Sequence, residues 1–188
     1  FGGGYYYDGQ DNNYIYNVID YITIATTGNA TYFGDLISPR TYHSACASDI
    51  RGVFSGGDNY IYLNTMEYIV FATTSNASYY GDLSIDLASH TSCSDKVRGL
   101  FIGGWTNNGN LILNSISYIT IDTTSTNENF GELNFLQEED LSSCSDNIRA
   151  LVSNYSSMYY FNIVIGTVSS YFGLMYTNQF NIASCSGK

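Results

Sequence analysis

Proline occurs once in the 188 residues, at Pro39, so almost nothing along the chain interrupts a backbone hydrogen-bond ladder. Positive charge is scarce too: six Lys+Arg stand against 17 Asp+Glu, a formal net charge of −11. Nucleic-acid binding and attraction to anionic membranes both draw on clustered Lys and Arg, so neither is expected here. No apolar run approaches membrane-spanning length, which argues against membrane insertion by a helix. No stripe recurs at the helical period of 3.6 residues. No Cys-x-x-Cys pair or second ligand cluster points to zinc. An initiating methionine and a signal peptide are also missing, and Phe1 falls inside a motif. The chain therefore reads as processed or partial, and targeting is not legible from it.

What is present points to a folded protein. Hydrophobic residues make up 44% and aromatics 16%, with 19 tyrosines. One domain spanning 1–188 is the economical reading. The four cysteines mark an internal repeat: Cys46, Cys93, Cys144 and Cys185 are separated by 47, 51 and 41 residues (93−46, 144−93, 185−144). Three of them run on to an arginine, Arg51, Arg98 or Arg149, five residues later. Glycine pairs open the units at Phe1-Gly-Gly-Gly4, Phe54-Ser-Gly-Gly57 and Phe101-Ile-Gly-Gly104. After a polar tip comes an asparagine-led run rich in β-branched and aromatic residues, starting at Asn17, Asn64 and Asn114. A second turn follows (Thr26 to Ala30, Thr73 to Ala77, Thr123 to Asn127), then Phe33-Gly-Asp, Tyr80-Gly-Asp or Phe130-Gly-Glu. Units of approximately 1–53, 54–100, 101–151 and 152–188 result, the last degenerate, as terminal repeats commonly are. Each offers about four short strands, the size of one propeller blade.

In unit one, Gly3-Gly4, Tyr21, Phe33, Pro39-Arg40 and His43 follow an order that resembles kelch repeats. Unit two keeps Gly56-Gly57, Tyr68, Tyr80 and His90 but has Leu87-Ala88 in place of Pro-Arg. Phe or Tyr fills the position where the family often has tryptophan, while Trp105 sits elsewhere. The "TTGNA…FGDL" and "CS…RG.F.GG" variant looks like kelch-type repeats common in aquatic phages and other environmental viruses and microbes. The resemblance implies an all-β, kelch-like β-propeller of four repeat units with four-stranded blades. Either the four units close a ring by joining their terminal strands, or they form an arc completed by residues or chains beyond this one.

Candidate chemistry divides between site and scaffold. Equivalent cysteines on successive blades are expected to stand too far apart for disulfides and to pack as small apolar residues. His43 and His90, each three residues before a cysteine, lie on the opposite strand face from it and form no nucleophilic pair. Asp49-Ile-Arg51, Asp95-Lys-Val-Arg98 and Asp146-Asn-Ile-Arg149 read as salt-bridged or Asx-capped turns. Asp35, Asp82 and Glu132 after the recurrent glycine read as a turn signature rather than paired catalytic carboxylates. Glu138-Glu-Asp140 is the one distinctive acidic cluster and reads as a solvated loop. The tip Asp8-Gly-Gln-Asp-Asn-Asn13 has oxygen ligands for Ca²⁺ but no EF-hand spacing, so no cofactor is assigned. Asn29-Ala-Thr31, Asn76-Ala-Ser78 and Asn154-Tyr-Ser156 are glycosylation sequons.

The expectation is a non-enzymatic structural or adhesive propeller on a virion, filament or cell surface, hence extracellular. Its partners would be proteins, further copies of itself or glycans, met through Tyr5, Tyr6, Tyr7, Trp105, Asn107, Asn108 and Asn110 at loop tips. An intracellular kelch adaptor and a propeller enzyme acting on carbohydrate are the alternatives.

Overall fold

A computed structural model describes residues 1–10, 12–106, 111–134, 141–166 and 169–176. These residues are all-β, in successive antiparallel sheets with no helix among them. The first sheet is β1 (Gly2–Tyr7), β2 (Asn13–Tyr21) and β3 (Thr31–Asp35), in the order β1-β2-β3. The second is β4 (Ser44–Ala47), β5 (Arg51–Ser55), β6 (Thr65–Val70) and β7 (Ser78–Asp82), again in chain order. The third contains β8 (Thr91–Ser94) and β9 (Arg98–Ile102), then β12 (Ser115–Thr120) and β13 (Glu128–Glu132), ordered β13-β12-β9-β8. Between its second and third strands lies the two-stranded ribbon β10 (Trp105–Thr106) and β11 (Leu111–Ile112). The fourth sheet is β14 (Ser142–Ser145), β15 (Arg149–Ser153), β16 (Ser157–Asn162) and β17 (Ser170–Leu174). The second to fourth sheets thus have four strands each, each beginning on the cysteine strand that closes the preceding sequence unit. The first sheet has three, with nothing among the described residues paired to the free edge of β1.

The cysteine strands are the inner ones: β4 packs against β8, and β8 against β14. Their small residues permit that approach and their hydroxyls stitch it. Ser94 Oγ donates to Ala47 O at 2.8 Å and Ser145 Oγ to Ser94 O at 2.5 Å, a step repeated from one sheet to the next. Ser92 Oγ likewise donates to Ala45 O at 2.6 Å.

The recurrent aromatic-Gly-acid motif is not a turn, as its composition led one to expect. It forms the body of each outer strand, with Asp35, Asp82 and Glu132 as the last strand residues. The aromatic before each glycine is the extra residue of a β-bulge: Gly34 faces Ile19, Gly81 faces Met66, Gly131 faces Ile116 and Gly173 faces Met158, and the register then skips Phe33, Tyr80, Phe130 and Phe172. A bulge twists the outer strand and re-aims the aromatic beside the glycine. The result is an edge-on ring pair in every sheet: Tyr21–Phe33, Tyr68–Tyr80, Tyr118–Phe130 and Tyr160–Phe172.

The core lies in the seams between sheets. Ile19, Phe33 and Leu36 of the first sheet meet Phe54 and Ile69 of the second. Val53, Met66, Tyr80 and Leu83 of the second meet Phe101, Ile119 and Ile121 of the third. Leu100, Ile116 and Leu133 of the third meet Val152, Phe161 and Ile163 of the fourth. Strand alternation explains this division, since successive side chains face the preceding and the following sheet in turn.

Charge enters one seam. Arg40, on the connection from β3 to β4, is completely buried and ion-paired with buried Glu67 of β6. Its Nη1 donates to Gly56 O at 2.9 Å and Thr65 O at 3.0 Å, while Glu67 Oε2 accepts from Ile37 N at 2.6 Å. In the next seam Leu87 O accepts from Gly57 N as Arg40 O accepts from Gly4 N, so Leu87, not Ala88, stands in the place of Arg40, with Ser117 in that of Glu67, and both members of the pair are replaced together. Removing one partner of a buried pair leaves an uncompensated charge and costs roughly 3–5 kcal/mol. Arg40→Ala is therefore expected to lower unfolding free energy by about that amount. Arg40→Ala combined with Glu67→Ser, which removes both charges at once, is expected to lose markedly less than the sum of the two single changes. Urea denaturation of the four proteins checks this, and strictly additive losses would contradict the coupling.

Candidate functional site

The three described cysteines are free thiols: Cys46 and Cys93 are buried in seams between sheets, and Cys144 is half-buried. Cys46 Sγ occupies the hollow over Gly99 on the next sheet, where any Cβ would collide with the sulfur. This close approach explains a glycine in the middle of β9. Burial pushes the Cys46 thiol well above its usual value and the Cys93 thiol up to about 12, in each case with a neighbouring cysteine adding to the shift. Thiols held protonated in this way are poor nucleophiles and poor metal ligands. Cys185 lies outside the described residues.

The histidines are scaffold groups as well. His90 is buried, its Nε2 lies 2.8 Å from Ser55 Oγ, and its ring meets Phe101 edge-on. Burial lowers its pKa to about 3, with His43 contributing. His43 packs on Phe54 and is lowered to about 4, first by burial and second by the nearby Arg40 charge. Neither ring has a carboxylate orienting it, and the Nδ1 atoms of both lack a hydrogen-bond partner. In the following unit Leu141 and Ile102 stand where His90 and Ser55 do, and both join one apolar cluster.

The acid–arginine turns hold with one shift of position. Asp95 Oδ1 accepts from Val97 N and Arg98 N at 3.0 and 2.6 Å, and its other oxygen pairs with Arg98. Asp146 does the same for Ile148 and Arg149. In the first copy the cap is Ser48, whose Oγ accepts from Ile50 N at 3.1 Å and Arg51 N at 3.0 Å. Asp49 instead pairs with Lys96 across the seam, and Arg51 lies 4.6 Å over the Tyr68 ring. The expected Asp49–Arg51 turn is thus replaced by a serine cap one residue earlier.

At the first tip both Asp8 carboxylate oxygens are engaged within the turn. Oδ1 accepts from Gln10 N at 2.7 Å and Oδ2 from Asn12 Nδ2 at 2.7 Å, which hold Asp8 below the usual carboxylate range. This is turn chemistry, and among the described residues no group of three His, Cys, Asp or Glu side chains forms a cation site. Asp35 accepts from the Tyr32 hydroxyl at 3.0 Å, so that carboxylate is occupied too.

The sequons are not equivalent. Asn29 and Asn76 are exposed, and Asn76 Oδ1 accepts from Asp35 N at 3.1 Å. Asn154 is only 6% exposed, and its Oδ1 caps the turn by accepting from Ser156 N and Ser157 N at 3.2 and 2.8 Å. A glycan on its Nδ2 would need this buried amide to reach solvent, whereas Asn29 and Asn76 are already open. Asn107, Asn108 and Asn110 lie outside the described residues, as does the 138–140 acidic cluster. Trp105 is half-buried, pairing with Ile112 and exchanging backbone hydrogen bonds with Ala88.

The tyrosines are what the tip presents. Gly4 to Tyr7 pair with Asn13 to Tyr16 in a hairpin, with Tyr6 directly opposite Tyr14. Tyr5, Tyr6, Tyr7, Tyr14 and Tyr16 are all exposed, and alternation places them on both faces of the ribbon. The Tyr6 and Tyr14 ring centroids are 6.3 Å apart. Tyr5 donates to Asn13 Oδ1 at 2.8 Å, and Tyr60 of the second unit donates to Asn13 O at 3.3 Å, tying the ribbon to its neighbour. The sequence pattern singled out Tyr5 to Tyr7 but not Tyr14 and Tyr16. The alternation Tyr14-Ile-Tyr16 opposite the first triplet was the available signal.

No protein family and no curated protein matches the chain. Among solved structures it is similar to one described as "Structure of YjhT", with a TM-score of 0.74 at 10% sequence identity, covering 98% of this chain and 70% of that one. At that identity the likeness concerns the fold alone, and it is consistent with a β-propeller-like arrangement of the sheets.

The buried histidines make stability pH-dependent. Both are neutral in the fold, whereas an unfolded chain protonates them below about pH 6.5. Their contribution is complete above that pH and is lost as pH falls towards the folded values of about 4 and 3. Each unit of depression amounts to about 1.4 kcal/mol, so the loss by pH 4 reaches a few kcal/mol. His90→Leu combined with Ser55→Ile, copying Leu141 and Ile102, should flatten this slope. Denaturation midpoints from pH 7 to 4 provide the measurement, and an unchanged slope in the double variant would refute the assignment.

Proposed function

We propose that the chain is a non-enzymatic scaffold, four units of a kelch-like β-propeller on a virion, filament or cell surface, whose tyrosine hairpin binds glycans or partner proteins. The observation that carries this reading is the β1–β2 ribbon, with five exposed tyrosines on a rigid two-stranded support. Tyrosine suits such a role. Its ring offers a large flat face to a sugar or an apolar side chain, its hydroxyl hydrogen-bonds, and only two torsions are frozen on binding. The anchoring bond from Tyr60 limits how far the ribbon moves, which lowers the ordering cost further.

The side chains with chemical potential support the non-enzymatic reading. The buried histidines and thiols serve seams between sheets, and Asp35, Asp95 and Asp146 are engaged in tyrosine or arginine contacts. The acidic surface disfavours polyanions and suits neutral glycans or basic protein partners.

Tyr6→Ala with Tyr14→Ala removes the facing ring pair from an exposed site, so thermal stability should shift little while ligand capture falls at least tenfold. A glycan array together with cross-linking on the assembled particle or cell surface is the test. Equal capture by wild type and variant, or no binding by either, would overturn the proposal.

A further inference from the structure

In the first seam the Arg40–Glu67 pair is held by backbone atoms on either side of it. Ile37 N and Ser38 N donate to the Glu67 carboxylate at 2.6 and 3.3 Å, while Gly56 O and Thr65 O accept from Arg40 at 2.9 and 3.0 Å. The repeat copies every one of these positions into the second seam. Ser84 and Ile85 stand where Ile37 and Ser38 do, and Gly103 and Ser115 where Gly56 and Thr65 do, but Leu87 and Ser117 replace the charged side chains. Shared backbone bonds fix the correspondence. Leu83 N donates to Asn64 O as Leu36 N does to Asn17 O, and Gly103 N donates to Ser115 O as Gly56 N does to Thr65 O.

All six copies line a single cavity of about 280 Å³ between the second and third sheets. Its origin is a difference in volume. Leucine and serine are smaller than arginine and glutamate, and the backbone has not closed over the space, although packed interiors rarely keep voids larger than a water molecule. The atoms that hold the charges remain without them. Ser84 N and Ile85 N form no hydrogen bond among the described residues, and Leu87 offers the carbonyls of Gly103 and Ser115 no donor. Asn127 Oδ1, also on the lining, is buried and has no partner. The donor side and the acceptor side are adjacent, because in the first seam the groups they hold touch one another.

We propose that this cavity binds a small zwitterion carrying a guanidinium and a carboxylate, which take the places of Arg40 and Glu67. The carboxylate accepts from Ser84 N and Ile85 N. The guanidinium donates to Gly103 O and Ser115 O, with Asn127 Oδ1 as a further acceptor. A lone cation would leave both N–H groups without an acceptor. A lone anion would leave the carbonyls unmet and enter a chain of net charge −11. Exposed Glu132 on the lining attracts the cationic end. Water also satisfies such groups, so affinity comes from charge-assisted bonds made at both ends of one molecule. No residue of the tyrosine hairpin takes part, so the site is independent of ligand capture at the tip.

Titration of the isotope-labelled chain with β-guanidinopropionate at fixed ionic strength, followed by amide NMR, tests the site. The Ser84 and Ile85 amide signals should shift and saturate, while those of Ile37 and Ser38, whose carboxylate is already in place, stay still. Methylguanidinium alone or acetate alone should bind at least about tenfold more weakly. Leu87→Arg combined with Ser117→Glu rebuilds the first seam in the second, and should keep the wild-type circular dichroism while losing the binding. A cavity that holds water only, with no saturable shift at Ser84 and Ile85, would overturn the proposal. So would equal affinity for either half of the zwitterion, or undiminished binding by the folded double variant. The first two readings are made on wild type, so they decide the matter even if the double variant does not fold.

Discussion

Arg40 is carried into the first seam with no exposure to water, and the sheets can meet there only because Glu67 meets it. The pair does more than cancel charge. Glu67 accepts from the backbone at Ile37 and Ser38, and Arg40 donates to the carbonyls of Gly56 and Thr65. One ion pair thus fixes the connection that leaves the outer strand of the first sheet and enters the inner strand of the second. The position of β4 follows from that, and with it the ladder of serine hydroxyls that sets β8 against β4 and β14 against β8. A buried pair in low dielectric is unforgiving of geometry, which makes it a register device more than a source of net stability.

The other seams solve the same problem by different chemistry. Where the first has Arg40 and Glu67, the second has Leu87 and Ser117; where the second has His90 and Ser55, the third has Leu141 and Ile102. Each change is made on both sides at once, because a lone buried polar group costs more than either a satisfied pair or an apolar one. The cysteines belong to this logic. Their sulfur is small and apolar enough to sit over a glycine of the next sheet, and burial keeps it protonated.

The repeat, the strand content and the scaffold role of the cysteines and histidines were legible in the sequence, since spacing and residue type carry them directly. Three details were not. Serine and aspartate cap the same turn equally well, so residue type pairs Asp49 with Asp95 although Ser48 occupies that place. Glycine beside an acid suggests a turn, but Gly34 and Gly81 sit inside a strand, each next to the aromatic that bulges out of the register. Asn154 satisfies the sequon rule and is nonetheless buried, because its side-chain oxygen caps a turn and holds the whole amide, including the nitrogen that a glycan would need, inside the fold. In each case one residue type serves two local structures, and only the neighbouring sheet decides between them.

The exposed apolar residues fall into two kinds for the same reason. Phe1, Ile22, Ile24 and Phe172 are exposed although their copies are core, so their exposure comes from the lack of an adjoining sheet among the described residues. Tyr6 and Tyr7 are different: their counterparts in the second unit are Asn59 and Tyr60, an exposed tip, so no missing sheet accounts for them. Aliphatic side chains on a flat face gain only by burial against a matching face. Tyrosines on both sides of a narrow ribbon cannot all be covered by one sheet. They suit ligands that approach the ribbon edge or grip it from two sides.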